Sequence, residues 1–249
     1  MTNEQRRTLS VLVHAGSKIG KTTFASTAPP PILALDAEGS WNFIKRPWVA
    51  WDPMKGPPPE ADGRWEVCRV VVRDWRAVQT TYQWLTQAPH PFKSVAVDSI
   101  TEMQRRCKAN LRGTDQMRTQ DWGDLLTAMD STIRNFRDLI LMDVGVDVVV
   151  FVAETAEKNG KWSPHMQGQI GNSLPYYVDV CGYLYTERLK DENGQPLGDL
   201  IRRLLITPHD LFVAGERVQG TLPDVVNNPN LSDMIKTVYD NITLSEVVE

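Results

Sequence analysis

Cysteine is scarce and scattered in this chain. Cys68, Cys107 and Cys181 make neither a metal-ligand spacing nor a disulfide framework, which points to a reducing compartment. Basic charge is not in excess. Lys and Arg number 27 against 31 Asp and Glu, a net charge of −4, so any surface for a polyanion must be local. Long apolar runs are missing too. The most apolar window, Leu139 to Ala153, is broken by Asp143 and Asp147 and is too short and charged to span a membrane. Thr2 to Thr8 is polar and does not read as a secretory signal, so a cytoplasmic location is expected and the sequon Asn241-Ile242-Thr243 has no expected use. Repeats and low-complexity tracts are absent apart from proline clusters. What is present, 41% apolar and 23% charged residues, is an ordinary globular composition, and 249 residues suffice for one large α/β domain. We expect a single domain over 1–249, with a core over about 8–210 and a capping tail over about 211–249.

The chemically specific stretch is Ala15-Gly16-Ser17-Lys18-Ile19-Gly20-Lys21-Thr22, followed by Thr23. It fits the phosphate-loop pattern [AG]-x-x-x-x-G-K-[ST], with Ala in the first place. An apolar run, Leu9 to Val13, precedes it, and a helical stretch, Thr22 to Ala28, follows until Pro29-Pro30-Pro31. That is the strand–loop–helix setting the motif needs. Gly16 and Gly20 let backbone N–H groups curl around phosphates. Lys21 would reach the β- and γ-phosphates of ATP, and the Thr22 hydroxyl would hold Mg²⁺.

Further strands are expected at Ile32–Leu35, Val67–Val72, Val95–Val97 and Val146–Val152, with helices between them. Asp74 is placed to cap a helix carrying Trp75, Val78, Tyr82 and Leu85. Gln120 to Leu141 reads as a long helix with Leu125, Met129, Ile133, Phe136 and Ile140 as its stripe. Continuous apolar strands separated by helices imply a mostly parallel sheet flanked by helices. After Val178 the pattern changes. Val180–Leu189 and Leu200–Thr207 read as an antiparallel hairpin around Asp191–Gly194. Arg46 to Gly63, rich in Pro, Gly and Trp, reads as a surface excursion. Trp41, Trp48 and Trp51 cluster there, with a subunit interface open to them, while Trp75, Trp84 and Trp122 are expected in the core. The tail from Pro223 is polar.

Two strands end in acids. Val95-Ala96-Val97-Asp98-Ser99 places Asp98 where an Asp binds Mg²⁺ in a phosphate-loop protein; a helix N-cap is the plain alternative. Leu35-Asp36-Ala37-Glu38-Gly39 places Glu38 on the same sheet edge, where it could orient an attacking water; a solvated turn is the alternative.

These residues carry a resemblance. Strand, phosphate loop and helix, then Asp36-Ala37-Glu38, then Asp98-Ser99-Ile100-Thr101, resemble the RecA-like ATPase core. With Gln120-Asp121-Trp122-Gly123 and Val178 to Leu184, the chain is similar over about 8–225 to compact phage ATPases of the RecA-core single-strand annealing group. The resemblance implies Glu38 as catalytic base and Asp98 as the Mg²⁺-linked acid. It implies action on single-stranded DNA, a single-strand DNA-binding protein as partner, a homo-oligomer (ring or filament), and the host cytoplasm. Glu154, at the end of the next strand, departs from the family's polar sensor residue and puts an acid beside the γ-phosphate. The segment Thr155 to Ser173 is long, polar and expected to be mobile. In the family the loop at this place enters the DNA channel, which nominates Lys158, Lys161 and Trp162; a solvated lid is the alternative. Arg105, Arg106, Lys108, Arg112 and Arg118 form a second basic segment, either a nucleic-acid track or a solvated helix face. A cation from a neighbouring subunit often completes such sites. Arg217 is the first candidate and Arg202 and Arg203 are weaker ones, against a plain surface role. A nucleotide-switched binding module such as a helicase loader is the alternative function. A small-molecule kinase fits less well, because Thr155–Ser173 has no Arg for a phosphate lid.

Overall fold

In a computed structural model the described residues run from Arg6 to Glu246, with side chains described to Ile242. Thr2 to Gln5 of the polar start, and the Thr243 side chain of the sequon, lie outside them. The strands are β1 (Leu9–Ala15), β2 (Ile32–Asp36), β3 (Trp48–Ala50), β4 (Val67–Val71), β5 (Ser94–Asp98), β6 (Val148–Lys158), β7 (Lys161–Pro164), β8 (Val180–Lys190), β9 (Pro196–Leu205), β10 (Gly215–Glu216) and β11 (Val225–Asn227). The helices are α1 (Lys21–Ala25), α2 (Trp75–Gln87), α3 (Ile100–Arg112), α4 (Thr119–Asp138), α5 (Ile170–Ser173) and α6 (Leu231–Glu246).

One sheet organises the described chain, in the order β11-β9-β8-β1-β6-β5-β2-β4-β3. From β3 to β8 the neighbours are parallel; β8, β9 and β11 continue antiparallel. β6 lies between β1, which leads into the phosphate loop, and β5, which ends in Asp98. This is a mostly parallel α/β arrangement with a C-terminal antiparallel hairpin. Because β1, β2, β5 and β6 run the same way, their carboxyl ends share one edge, where ligands bind in such sheets.

Alternating strand residues feed two cores. One face takes Leu12, Leu35, Val97 and Phe151 against α2, α3 and α4, including Leu125, Met129, Ile133 and Phe136 of the expected stripe. Ile140, also buried there, lies just past the end of α4, which stops at Asp138 rather than Leu141. The other takes Val11, Ala34, Val150 and Leu204 against α1 and α6. The tail is therefore amphipathic rather than merely polar: Leu231, Met234, Ile235 and Val238 are buried at helical spacing. Asp74 caps α2 through Arg76 N, as expected.

Three expectations change. The excursion Arg46–Gly63 contains β3, and Trp51 folds inward with its indole N–H donating to the Gly56 carbonyl at 3.0 Å. Trp122, expected in the core, is 38% exposed, with the Lys108 ammonium 5.1 Å from its ring centre. Thr155–Ser173 is not a long open loop. β6 runs on to Lys158, turns through Asn159 (φ 55°) and Gly160 (φ 77°), and returns as β7. Two successive positive φ values are what a tight two-residue hairpin turn demands, and Asn-Gly supplies them.

Phe136 tests the packing, because it lies buried on α4 with its ring edge-on to Tyr82 of α2. Phe136→Ala should lower unfolding stability by about 3–5 kcal/mol in urea denaturation. A loss under about 1 kcal/mol would contradict this packing.

Candidate functional site

The loop from Gly16 to Gly20 joins β1 to α1 and lines a cleft of about 530 Å³. Gly20 sits at φ 106°, so the backbone favours glycine, and the Arg202 side chain lies so close that a Cβ there would be 2.5 Å from its Nε. Lys21 Nζ donates to the carbonyls of Gly16 at 2.8 Å and Ala15 at 3.2 Å, folding the ammonium back across the loop. Burial lowers its pKa, and Glu38, Asp98 and Glu154 oppose that shift. Ala15, Gly16, Ser17, Lys18, Gly20, Lys21, Thr22 and Thr23 all line the cleft. Ile19 does not; its side chain packs on the apolar core and only its backbone faces the loop. The helix after the loop is shorter than expected, since Thr27 Oγ1 and Ser26 Oγ donate to the end carbonyls of α1 and close it.

Asp98 is the junction of the cleft. Its Oδ2 accepts from Thr22 Oγ1 at 2.7 Å, Trp41 Nε1 at 3.0 Å and Ser40 Oγ at 3.3 Å. Burial pushes its carboxyl up to about 6, partly offset by the Thr22 bond. The N-cap of α3 is the next residue: Ser99 Oγ accepts from Glu102 N at 3.2 Å, which leaves Asp98 free for the cleft. The same hydroxyl donates to Glu38 Oε1. Glu38 is exposed and faces the phosphate loop across the cleft.

Asp36 plays a different part from either. It is fully buried, accepts from Arg69 Nε at 2.6 Å, and receives the Gly39 N–H at 2.7 Å and the Trp41 N–H at 3.4 Å. It thereby shapes the turn that presents Glu38 on one side and the Trp41 indole on the other. Glu154, the departure noted in the sequence, lines the cleft but is neutralised. Arg105 grips both its oxygens at 3.0 and 2.9 Å and holds its carboxyl below the usual range, with His165 Nδ1 at 3.5 Å.

With this geometry, a family model described as an AAA domain, AAA_24, matches residues 7–218. The chain belongs to this AAA family. None of the curated proteins compared with it matches. Among solved structures the AAA domain is similar to the flagellar accessory protein FlaH from Methanocaldococcus jannaschii, at 9% identity and a TM-score of 0.45, over 88% of this chain and 84% of that one. It is also similar to the RadB recombinase, at 13% identity and a TM-score of 0.43, over 83% and 84%. Membership implies an ATPase-type, nucleotide-binding protein.

The other residues nominated from the sequence fall elsewhere on this AAA domain. Lys158 and Lys161 face each other at the hairpin tip. Trp162 is 40% exposed on a backbone pinned to the next segment, its N–H donating to Leu211 O at 2.7 Å and its carbonyl accepting from Val213 N at 2.8 Å. Arg217 is not in the phosphate cleft of its own chain; it donates to the Tyr176 carbonyl at 2.6 Å and lines a second cavity of about 490 Å³ with Lys161. The basic segment is a paired face. Arg105 and Arg106 bond Glu102, Arg112 and Arg118 bond Asp121, and Lys108 lies on Trp122. Arg202 was nominated only as a weaker cation for a neighbour's site, and the Arg105–Glu154 fork was missed, because their partners lie far away in sequence and only the sheet order brings them together.

His14, beneath the site, offers a pH test. Its Nε2–H donates to the Val213 carbonyl at 2.7 Å, and Nδ1 lies 3.1 Å from Thr155 Oγ1. Burial lowers its pKa from 6.5 to about 4. The unfolded chain therefore takes up the proton first. The stabilising contribution is complete above about pH 6.5 and is lost as pH falls through about 4, a change of about 3 kcal/mol. The denaturation midpoint should fall more steeply between pH 7 and 4 in the wild type than in His14→Gln. Equal slopes would contradict a neutral, buried imidazole.

Proposed function

We propose that this AAA domain binds and hydrolyses ATP and acts on single-stranded DNA in phage recombination or annealing. The observation that carries the nucleotide reading is the convergence of Lys21, Thr22, Asp98 and Glu38 on one cleft. Loop N–H groups hold the phosphates. Lys21 exchanges its two carbonyl partners for phosphate oxygens. A hydroxyl beside a carboxylate is a hard-oxygen donor pair suited to Mg²⁺, which is usually held by one or two carboxylates plus substrate phosphates. Thr22 and Asp98 would hold it, and it would spread the charge of the phosphates.

Glu38 acts as general base. It takes a proton from a water whose oxygen attacks the γ-phosphorus as the bond to the bridging oxygen breaks, and Ser99 holds the carboxylate in place. The fork from Arg105 keeps Glu154 from repelling the phosphate. Lys158, Lys161 and Trp162 contact DNA through charge and stacking. The hairpin is linked to the hydrolytic edge. α3 starts beside Asp98, and its Thr101 and Gln104 bond His165 O at 3.0 Å and Gln167 O at 3.1 Å in the segment that follows β7. Arg217 completes the site of a neighbouring copy in a homo-oligomer, and a single-strand DNA-binding protein is the protein partner. One observation favours a nucleotide-switched loader instead: Glu157 stands opposite Trp162 and dilutes the hairpin's positive charge.

ATP hydrolysis, measured with and without single-stranded DNA, tests the proposal. DNA should stimulate the wild type. Lys21→Ala should lose activity, and Glu38→Gln should drop kcat roughly 10²-fold or more while still binding ATP. Glu38→Gln at the wild-type rate would sink the base assignment. An inert DNA arm, with a protein partner released according to the bound nucleotide, would favour the loader.

A further inference from the structure

Arg202 is a cation that reaches the phosphate loop from within the same chain. It lies on β9, two strands from β1, and its side chain shares the sheet face of Leu184 and Leu204. Asn228 fixes its backbone from both sides: Arg202 N donates to Asn228 Oδ1 at 3.3 Å, and Asn228 N donates to Arg202 O at 2.7 Å. From that anchor the side chain lies against Gly20, and Nε donates to the Ile19 carbonyl at 3.1 Å. Arg202 lines the cleft with Lys21, Thr22, Glu38 and Asp98. Among the described residues it has no carboxylate partner, whereas Arg203 beside it is paired with Glu187 at 2.8 Å. An exposed guanidinium held by one backbone carbonyl keeps its terminal N–H groups for an anion, and a planar fork suits phosphate.

We propose that Arg202 binds the nucleotide's phosphates in cis, so that each chain supplies one arginine to its own site, carried there by the β8–β9 hairpin. This rests on the nucleotide reading above. It is separate from the assignment of Arg217 to a neighbour's site, because Arg217 lines another cavity and Arg202 touches the loop of its own chain. A side chain at Gly20 would displace this guanidinium from the loop.

The test is binding of a fluorescent ATP analogue with Mg²⁺ to wild type, Arg202→Ala and Arg202→Lys, with folding checked by circular dichroism. Arg202→Ala should bind about tenfold or more weakly, and Lys should restore only part of the loss. Arg202→Ala binding like wild type would overturn the inference while leaving the nucleotide site standing. A wild-type chain that binds no nucleotide would remove that reading and this one with it. Mixing separates cis from trans. Arg202→Ala mixed with Lys21→Ala should hydrolyse no more ATP than the two measured apart. Recovered activity would mean that Arg202 serves a neighbour, and would contradict the cis assignment.

Discussion

Two buried carboxylates stand side by side at the edge of this sheet, and the site depends on their unequal treatment. Asp36 and Asp98 are register partners on β2 and β5. Asp36 has a guanidinium: Arg69 pairs with it at 2.6 Å, and the carboxylate spends its remaining capacity on the backbone of the turn after β2. Among the described residues Asp98 has no ion-pair partner, although the Lys21 ammonium shares its cleft. It is 2% exposed and held by neutral donors, Thr22, Ser40 and Trp41, so burial raises its pKa. Removing a partner from a buried ion pair leaves an uncompensated charge, so the Arg69 pair fixes the turn firmly. The acid left without an ion-pair partner is the one that, in the proposed function, would take Mg²⁺ with the nucleotide.

From that asymmetry the rest of the cleft follows. The turn built on Asp36 presents the Trp41 indole to Asp98 and Glu38 to the phosphate loop. Ser99 caps α3 and holds Glu38 with one hydroxyl, which ties the water-facing carboxylate to the helix that contacts the segment after β7. Glu38 and the segment that follows the hairpin are therefore both hydrogen-bonded to α3. Charge is balanced locally. Arg105 neutralises Glu154, and Arg202 stands over the loop where phosphate charge would collect.

Much of this was legible in the sequence. Apolar strands alternating with amphipathic helices placed the parallel sheet, and the α4 stripe from Leu125 to Phe136 was read residue by residue. The phosphate loop, Glu38 and Asp98 stood out because strand ends in such a sheet gather on one edge. The rest depended on contacts between residues far apart in sequence. Asp36 and Asp98 look alike as strand-ending acids, and only the neighbouring strand reveals that Arg69 belongs to one of them. Arg105 read as part of a nucleic-acid track or a solvated helix face, and its place in the cleft was hidden because its partner, Glu154, lies on another element. The Asn159-Gly160 turn was there to be read, but the polar residues around it masked a continuing strand. The sequence ranked Arg217 above Arg202 as a cation for a phosphate site, and only the sheet order shows that the second reaches the loop of its own chain while the first lines another cavity.

The central claim is that Asp98 is held without an ion-pair partner so that it can take Mg²⁺ with the nucleotide. The most direct measurement is calorimetric titration of ATP into wild type and Asp98→Asn, each with and without Mg²⁺. Asn keeps an oxygen for Thr22 and Trp41 but loses the charge. The account expects Mg²⁺ to tighten ATP binding to the wild type by about tenfold or more, and Asp98→Asn to bind ATP with little response to the metal. An equal Mg²⁺ effect in both proteins would contradict it.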